Sequence, residues 1–314
     1  MQKFNITIKR YTSSDSSVWD AFVDKSKNGT FLFKRAYMDY HAHRFEDFSL
    51  LFFENKKLIA ILPAHKENQT LCSHFGLTYG SLLISTNVSQ RMVLAIFDEM
   101  KSFLKPLGFE KIYYKLVPAI YHKYPCEEDL YALFRNNARL VARNCSTTIC
   151  IQKPNTSSRL KRVSRRAERN SLRYEEHHNV NEFWHIIEEN RMKKYSVRPV
   201  HSRDEINLLI SLFPQNIRSI AVYAGDEVVA GGVVYLANDV AHLQYASASP
   251  KGEKIHAGDF LYDVFIRKLF ADYRYYDFGI STEKNGQFLN EGLITHKEEF
   301  GGHTVVYDHY EMYL

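Results

Sequence analysis

Two segments of the chain show the same pattern of apolar stretches around a short polar turn. One covers residues 49–64 and the other residues 219–234. Two apolar stretches separated by a polar turn predict a β-hairpin. A shift of 170 positions superposes Leu58-Ile59-Ala60 on Val228-Val229-Ala230 with no gap across the turn. The pattern therefore predicts two copies of one hairpin.

Similar elements follow each hairpin. A stretch of mixed polarity comes first, at residues 74–80 and 242–248, and predicts a strand in each copy. A helix is predicted next, over residues 90–105 in the first copy and 258–270 in the second. The repeated order of hairpin, strand and helix indicates a duplicated domain.

The chain of 314 residues is long for a single core, and two domains of about 150 residues are the default for this length. The polar segment 152–158, which contains Pro154, interrupts the pattern between the two copies. We therefore expect a mixed α/β fold with domains at residues 1–155 and 156–314.

Composition narrows the functional classes only moderately. A formal charge of +5 permits an anionic ligand without requiring nucleic acid. Neither a signal peptide nor a membrane span is visible, so we expect a cytoplasmic protein. Four cysteines lack a CxxC pair and a His/Cys metal spacing, which favours buried, reduced thiols and no metal site. They are Cys72, Cys126, Cys145 and Cys150.

A strongly basic segment follows the predicted domain boundary. Residues 159–173 carry seven Arg or Lys side chains and one Glu. Leu160, Val163 and Ala167 are spaced to form a narrow apolar stripe on a helix. The other faces would suit the phosphates of tRNA, a nucleotide sugar or coenzyme A, or they would simply be exposed on a linking helix.

The densest set of functional residue types lies near the C-terminus, in residues 277–302. This stretch holds five glycines, four glutamates, Asn290 and Lys297, and it follows the aromatic run at residues 273–276. We expect the aromatic strand to end at a glycine-rich polar loop, a common location for an active site. A tight structural loop beside a surface helix is the alternative.

These residues carry a resemblance to a known family. Asn290-Glu-Gly-Leu293 with Lys297-Glu-Glu-Phe-Gly301 resembles the C-terminal signature of the FemAB-like branch of the GNAT acyltransferase superfamily, with its BioF2-like acetyltransferase domain. Arg198-Pro-Val-His-Ser202, Ala230-Gly231-Gly232 and His242-Leu-Gln-Tyr245 are similar to it as well. The resemblance implies two tandem GNAT-like domains, each a central mixed sheet flanked by helices, with the active cleft mainly in the second.

Three residues are candidates for catalysis. The resemblance implies that Lys297 offers positive charge to the developing oxyanion, whereas the alternative is a surface lysine paired with Glu283 or Glu291. His242 and Tyr245 lie on a strand that would face the acyl donor, and either could relay a proton. The alternative for His242 is a hydrogen-bonded residue of the core, which is the more common role of a histidine in a strand.

Two further groups are candidates for binding. Lys251, Gly252, Lys254 and Gly258 lie between a predicted strand and helix, where the pyrophosphate of acyl-CoA could be held, although only Gly258 matches the usual GNAT loop. Without a ligand this segment would be a solvated loop. For the acceptor substrate the candidates are Arg191, Arg198, His201, Asn290 and Glu283, and the arginines suit an anionic group.

The sequence therefore predicts an N-acyltransferase that moves an acetyl or acyl group from acyl-CoA. The expected acceptor is an amine of a small metabolite, a nucleotide-linked sugar or a cell-envelope precursor. One alternative is aminoacyl transfer from a charged tRNA, which the lack of a long helical-hairpin insertion weakens. Another is a non-catalytic GNAT-like module that binds an anionic ligand or partner. The sequence does not decide the acceptor or the oligomeric state.

Overall fold

The structure is a computed structural model that describes residues 4–155 and 157–314. Its contacts divide the chain into two compact units. The first comprises residues up to 144 together with 283–288 and 306–314, and the second comprises residues 145–282 and 289–305. Two parts of the C-terminal tail thus belong with the first unit. The domain limits at residues 155 and 156 remain a prediction.

The first unit alternates short helices with strands, six of which follow one another between α2 and α3. In chain order its elements are β1 (Ile6–Arg10), α1 (Ser16–Lys25), α2 (Arg35–Asp39), β2 (Glu46–Asp47), β3 (Leu50–Glu54), β4 (Lys57–Leu62), β5 (His65–Glu67), β6 (Thr70–Cys72), β7 (Leu83–Ile84), α3 (Gln90–Leu104), β8 (Lys111–Lys115), α4 (Glu128–Arg135) and β9 (Arg139–Cys150), the last of which continues into the second unit.

The predicted hairpin of the first unit is confirmed as β3 and β4, with Asn55 and Lys56 at positive φ in its turn. The predicted helix is confirmed as α3, which Ser89 caps through its side chain. The face of α3 that points into the core carries Val93, Ile96, Phe97, Met100 and Leu104. A parallel pair, β6 and β8, is joined across α3.

The strand predicted at residues 74–80 is wrong. This segment is a turn, with His74 at a φ of +52. A side chain at Gly76 would overlap the ring of His41, and one at Gly80 would overlap the carbonyl of Ser73. The mixed polarity came from close packing of a loop and not from the two faces of a strand.

The second unit contains the remaining elements. In chain order they are α5 (Ser158–Arg169), β10 (Leu172–His177), α6 (Trp184–Tyr195), α7 (Arg203–Leu212), β11 (Ile217–Ala224), β12 (Glu227–Ala237), β13 (Val240–Ala248), α8 (Pro250–Lys254), α9 (Ala257–Val264), β14 (Tyr275–Ile280), β15 (Thr282–Glu283), β16 (Phe288–Leu289), α10 (Glu291–Glu298) and β17 (His303–Tyr313). Parts of β15, β16 and β17 lie in segments of the first unit.

The sheet of the second unit has the order β10-β11-β12-β13-β14-β9. The predicted hairpin is confirmed as β11 and β12, which turn at Gly225 with φ +64. The predicted strand at 242–248 is confirmed within β13, and the helix expected at 258–270 is α9, continued by a π-helical turn. All neighbours are antiparallel except β13 and β14, which are parallel and joined across α8 and α9.

Two boundaries differ from expectation. The aromatic strand does not end before Asp277, because β14 stays paired with β9 as far as Ile280. Asp277 and Gly279 therefore lie within a strand and not in a loop. The basic helix α5 ends at Arg169 instead of continuing to residue 173, since Ser171 turns the chain at φ +49 into β10. Its predicted stripe of Leu160, Val163 and Ala167 is buried.

Each unit thus contains an antiparallel hairpin, a parallel strand pair and a helix that joins the pair. The predicted mixed α/β fold with an internal duplication is confirmed. None of the helices in the described part of the chain combines the length and the apolar character needed to cross a membrane.

Replacing two glycines between β13 and β14 with alanine should have opposite effects on stability. In Gly252→Ala the new methyl would lie 2.0 Å from the Val229 carbonyl oxygen, and overpacking of this kind typically costs about 1–3 kcal/mol. In Gly258→Ala it would meet only Ala248, at 3.9 Å, and a helical alanine gains up to about 1 kcal/mol over glycine. Urea denaturation of both variants measures the difference, and equal stabilities would contradict this packing.

Candidate functional site

The second unit has a groove between its sheet and three helices. Two adjoining cavities form it, with volumes of about 430 and 310 Å³. Helices α6, α9 and α10 provide its walls, and β13 provides its floor. Both cavities share six lining residues, Asn190, Lys194, Ala246, Ser247, Tyr262 and His296.

The groove exists because β13 and β14 separate. Their parallel pairing ends at His242 and Asp277. Beyond this point β14 bends at Gly279, which has φ +77, and β13 carries a bulge in which Gln244 is the extra residue opposite Val233 and Val234. The backbone of β13 from Leu243 onward therefore has no ladder to β14, and the N–H and C=O groups on the edge away from β12 are available to a bound chain.

Asp277 lies where the two strands separate and is completely buried. Its Oδ1 accepts hydrogen bonds from Ser146 Oγ, Thr148 Oγ1 and the backbone N–H of Gly279, at 2.5, 3.2 and 3.1 Å. Its Oδ2 lies 2.9 Å from Nδ1 of His242. These contacts compensate the cost of burying a carboxylate. His242 is thereby held beneath the floor of the groove.

Lys297 reaches the same point from α10. Its Nζ donates to the carbonyl oxygens of Gly279 and Ile280, at 2.7 and 2.9 Å, and only 6% of the residue is exposed. Burial lowers the pKa of Lys297 to about 8, and the charge of Asp277 partly opposes this shift. Lys297 is therefore a buried groove residue and not a surface lysine. Two of its three N–H donors hold the bent strand, and one remains for a ligand in the groove.

His296, next to Lys297, lines both cavities. Burial lowers its pKa, and the positive charges of Arg159 and Lys297 add to this effect. The imidazole is consequently neutral at neutral pH and can accept a proton. We did not infer this residue from the sequence, although its place beside Lys297 was a signal.

Tyr245 lines the larger cavity, and its hydroxyl is 2.6 Å from Nδ1 of His201. Burial raises the pKa of Tyr245, which keeps the phenol neutral. His201 is itself buried, so it supports Tyr245 from behind. Arg191 lines the same cavity from α6, and Arg198 is exposed on the loop that follows this helix.

The structure places the four residues of the predicted phosphate-binding loop in different surroundings. Gly258 lines the smaller cavity near the start of α9, where unpaired helix N–H groups attract anions. Gly252 instead packs against Val229, as described above. Lys251 pairs with Glu227 at 2.5 Å, and Lys254 is exposed at the end of α8. Only Gly258 of the four lines the groove among the described residues.

Two candidates for substrate binding lie elsewhere. Asn290 is the N-cap of α10, where its Oδ1 accepts from the N–H of Leu293 at 3.1 Å. Glu283 lies at the end of β15, in a segment that belongs to the first unit. Their roles in binding remain predictions, as do the roles of the other candidates.

Other groove residues were not inferred from the sequence. Asn190 donates to Ser247 Oγ and the Ala248 carbonyl at 2.5 and 2.7 Å, which fastens α6 to β13. Arg159, at the mouth of the smaller cavity, binds Asp259 through two nitrogens and also contacts Glu299. No local sequence pattern marks Asn190, because its partners lie on a distant strand.

Comparison with known proteins identifies the fold. Residues 154–287 match the sequence model of the Acetyltransferase (GNAT) domain. This part of the second unit is therefore similar to the GNAT acetyltransferase domain. The separated parallel strands, with a helix start at the mouth of the groove, are the geometry expected of this GNAT domain.

Similar solved structures align with nearly the whole length of the chain. FemX aligns with a TM-score of 0.65 and 11% identity over 96% of each chain. L-PGS from Bacillus licheniformis aligns with a TM-score of 0.60 and 11% identity, over 95% of this chain and 91% of that one. A tandem GNAT protein from the clavulanic acid biosynthesis pathway aligns at 0.54 and 8% identity over 98% of each. The predicted tandem GNAT fold is confirmed, and no curated protein sequence matches the chain.

The hydrogen bonds around Asp277 predict that replacing its carboxylate with an amide strongly destabilises the protein. In Asp277→Asn an amide N–H₂ replaces one oxygen and faces groups that donate hydrogen bonds, so we expect a loss of about 1–3 kcal/mol in the free energy of unfolding. Chemical denaturation measures this loss in the free energy of unfolding. The control is Asp272→Asn, which alters an exposed acid before the same strand. Equal stability of the two variants would contradict the network.

Proposed function

We propose that this GNAT-type acyltransferase moves an acyl group from acyl-CoA, in the simplest case acetyl-CoA, to the amine of a small acceptor. The observation that carries the proposal is the position of Lys297, a buried cation at the point where β13 and β14 separate. It lies in the groove beside exposed strand backbone and a neutral histidine. Acyl transfer needs these three elements, which are alignment, charge stabilisation and a route for a proton.

The donor would lie along β13. The backbone from Leu243 onward can hydrogen-bond the amide groups of an extended pantetheine arm. The start of α9 at Gly258 can hold phosphate oxygens, since a side chain there would meet nothing closer than 3.9 Å. Lys194 and His256 add basic groups at this end, although Glu253 and Asp259 offset part of their charge. The fit supports a phosphate-bearing donor.

In the reaction, the acceptor nitrogen attacks the thioester carbonyl, a C–N bond forms and the C–S bond breaks. The free N–H of Lys297 stabilises the oxyanion that develops on the carbonyl oxygen. His296 accepts the proton that the amine loses and passes it to the leaving thiolate. Tyr245 and Arg191 line the remaining wall and would orient the acceptor.

The acceptor class is supported by similarity alone. One similar structure is the C-terminal domain of a putative lysylphosphatidylglycerol synthetase from Agrobacterium fabrum, whose name points to an aminoacylated lipid as product. We therefore propose a nucleotide-linked sugar or another envelope precursor, or a small metabolite, as the acceptor in the cytoplasm.

Aminoacyl transfer from a charged tRNA is the second candidate. Helix α5 supports it, because Lys161, Arg162, Arg165 and Arg169 are exposed on the faces opposite the buried stripe. A tRNA donor would bind in a strongly salt-dependent manner, whereas a compact acyl-CoA would depend less on salt. A non-catalytic module remains the third candidate and would turn over neither donor.

Calorimetry with acetyl-CoA and longer acyl-CoA thioesters tests the donor. We expect saturable binding that Gly258→Glu weakens at least about tenfold, because the new carboxylate repels phosphate at a helix start. Ser211→Glu on α7 adds the same charge at an exposed position outside the groove. If no thioester binds at millimolar concentration while charged tRNA binds, the donor is aminoacyl-tRNA. If neither binds, acyl transfer by this groove is wrong.

Turnover should require the protonated form of Lys297. Since its pKa is lowered to about 8, kcat should fall as the pH rises through about 8. Lys297→Met should reduce kcat about 10²–10³-fold with donor binding retained. Lys297→Arg should rescue turnover poorly because its planar group places the charge differently, but its residual activity should not decline near pH 8.

The exposed Lys193→Met variant controls for loss of a lysine from the same unit. A kcat that rises through pH 8 would show that the neutral amine acts as a base. Near-normal turnover of Lys297→Met would remove Lys297 from the mechanism.

A further inference from the structure

The short hairpin of β5 and β6, in the first unit, presents three different metal-ligating side chains on one face. His65 is paired with Cys72 across the hairpin, and Glu67 is two residues from His65 on the same strand. Side chains two residues apart on a strand share a face, and directly paired residues share it as well. The register therefore brings an imidazole, a carboxylate and a thiol together.

The distances suit a small cation. The candidate ligand atoms of His65, Glu67 and Cys72 all lie within 4.8 Å of one another, and Sγ of Cys72 is 3.9 Å from Oε2 of Glu67. Zinc bonds to sulfur, nitrogen and oxygen place the ligand atoms of a tetrahedral site about 3.3–3.7 Å apart. Small rotations of the Cys72 and Glu67 side chains would close this difference without a change in the hairpin.

We propose that His65, Glu67 and Cys72 form a binding site for a thiophilic divalent cation, of which Zn²⁺ is the best match. Thiolate and imidazole ligands select zinc over magnesium or calcium, which prefer oxygen ligands. Three protein ligands leave a fourth position for water. Cys72 and His65 are buried and Glu67 is exposed, so the cation would enter from the side of Glu67.

His65 has the burial and the ring packing expected of a metal ligand. It is 3% exposed, and within the described chain its Nδ1 has no hydrogen-bond partner. An imidazole binds a metal through the lone pair of its unprotonated ring nitrogen. Phe45, Phe75 and His74 surround its ring, with centroid distances of 4.8, 5.0 and 5.3 Å. This packing fixes the ring in place.

The positive charges of two lysines near the hairpin disfavour the binding of a cation. Lys111 pairs with Glu311 at 2.8 Å, which offsets its charge. Lys115 donates to the Leu77 carbonyl, and burial lowers its pKa to about 8. The thiolate and the carboxylate together neutralise a dication, so the site would be uncharged when filled.

Binding would convert the thiol of Cys72 to a thiolate. Burial and the neighbouring Glu67 raise the pKa of Cys72 to about 12, so the thiol is protonated without metal. The cation forms the S–metal bond and the proton leaves to solvent. No oxidant or reductant takes part.

Cobalt(II) alone, added to the metal-free full-length protein, tests the proposal. We expect one equivalent to bind with the near-ultraviolet charge-transfer absorption of a cobalt–thiolate bond, and Zn²⁺ to displace it. Glu67→Gln, which alters an exposed side chain and should fold normally, should weaken binding at least about tenfold. Cys72→Ser should abolish the charge-transfer band.

Cys126→Ser is the matched control, because Cys126 is also a buried thiol of the first unit. It should leave the band unchanged. Absence of the band in the unaltered protein, its persistence in Cys72→Ser, full affinity in Glu67→Gln or its loss in Cys126→Ser would each overturn the assignment. The readout is independent of acyl transfer, so its failure leaves the proposed function unaffected.

Discussion

The buried carboxylate of Asp277 stands at the point where two parallel strands separate, and the groove of the second unit depends on it. The side chain satisfies the backbone N–H of Gly279, two hydroxyl groups from β9 and the imidazole of His242. These bonds keep β14 attached to β9 while it leaves β13. Without them, the bend at Gly279 would leave polar groups unsatisfied in the core, which is energetically costly.

The same bend creates the site for Lys297. The carbonyl groups of Gly279 and Ile280 turn toward α10 and accept its ammonium group. Burial destabilises the charged form of Lys297, whereas the negative charge of Asp277 stabilises that form. Two ionisable groups on different elements, β14 and α10, thus balance each other, and the resulting cation lies beside the neutral His296. This pairing of a cation and a proton acceptor is what acyl transfer requires.

Local patterns predicted the regular elements well. Both hairpins, helix α3 and the apolar stripe of α5 follow from the spacing of apolar residues, because these elements bury one face. The strand expected at residues 74–80 was wrong, since glycines there serve close packing in a loop. The end of β14 was also misplaced: glycine and aspartate normally stop a strand, but here β9 pairs with it through this stretch.

The sequence by itself determined the duplicated hairpins, the GNAT resemblance and the importance of the segment around Lys297, because each is carried by residues close together in the chain. Tertiary structure alone decided that Asn190 and His296 line one groove, and that only Gly258 of the expected phosphate loop lines it among the described residues. It also decided the register that places Cys72 opposite His65. Burial, shifted pKa values and contacts between distant strands arise from packing, and local spacing does not encode packing.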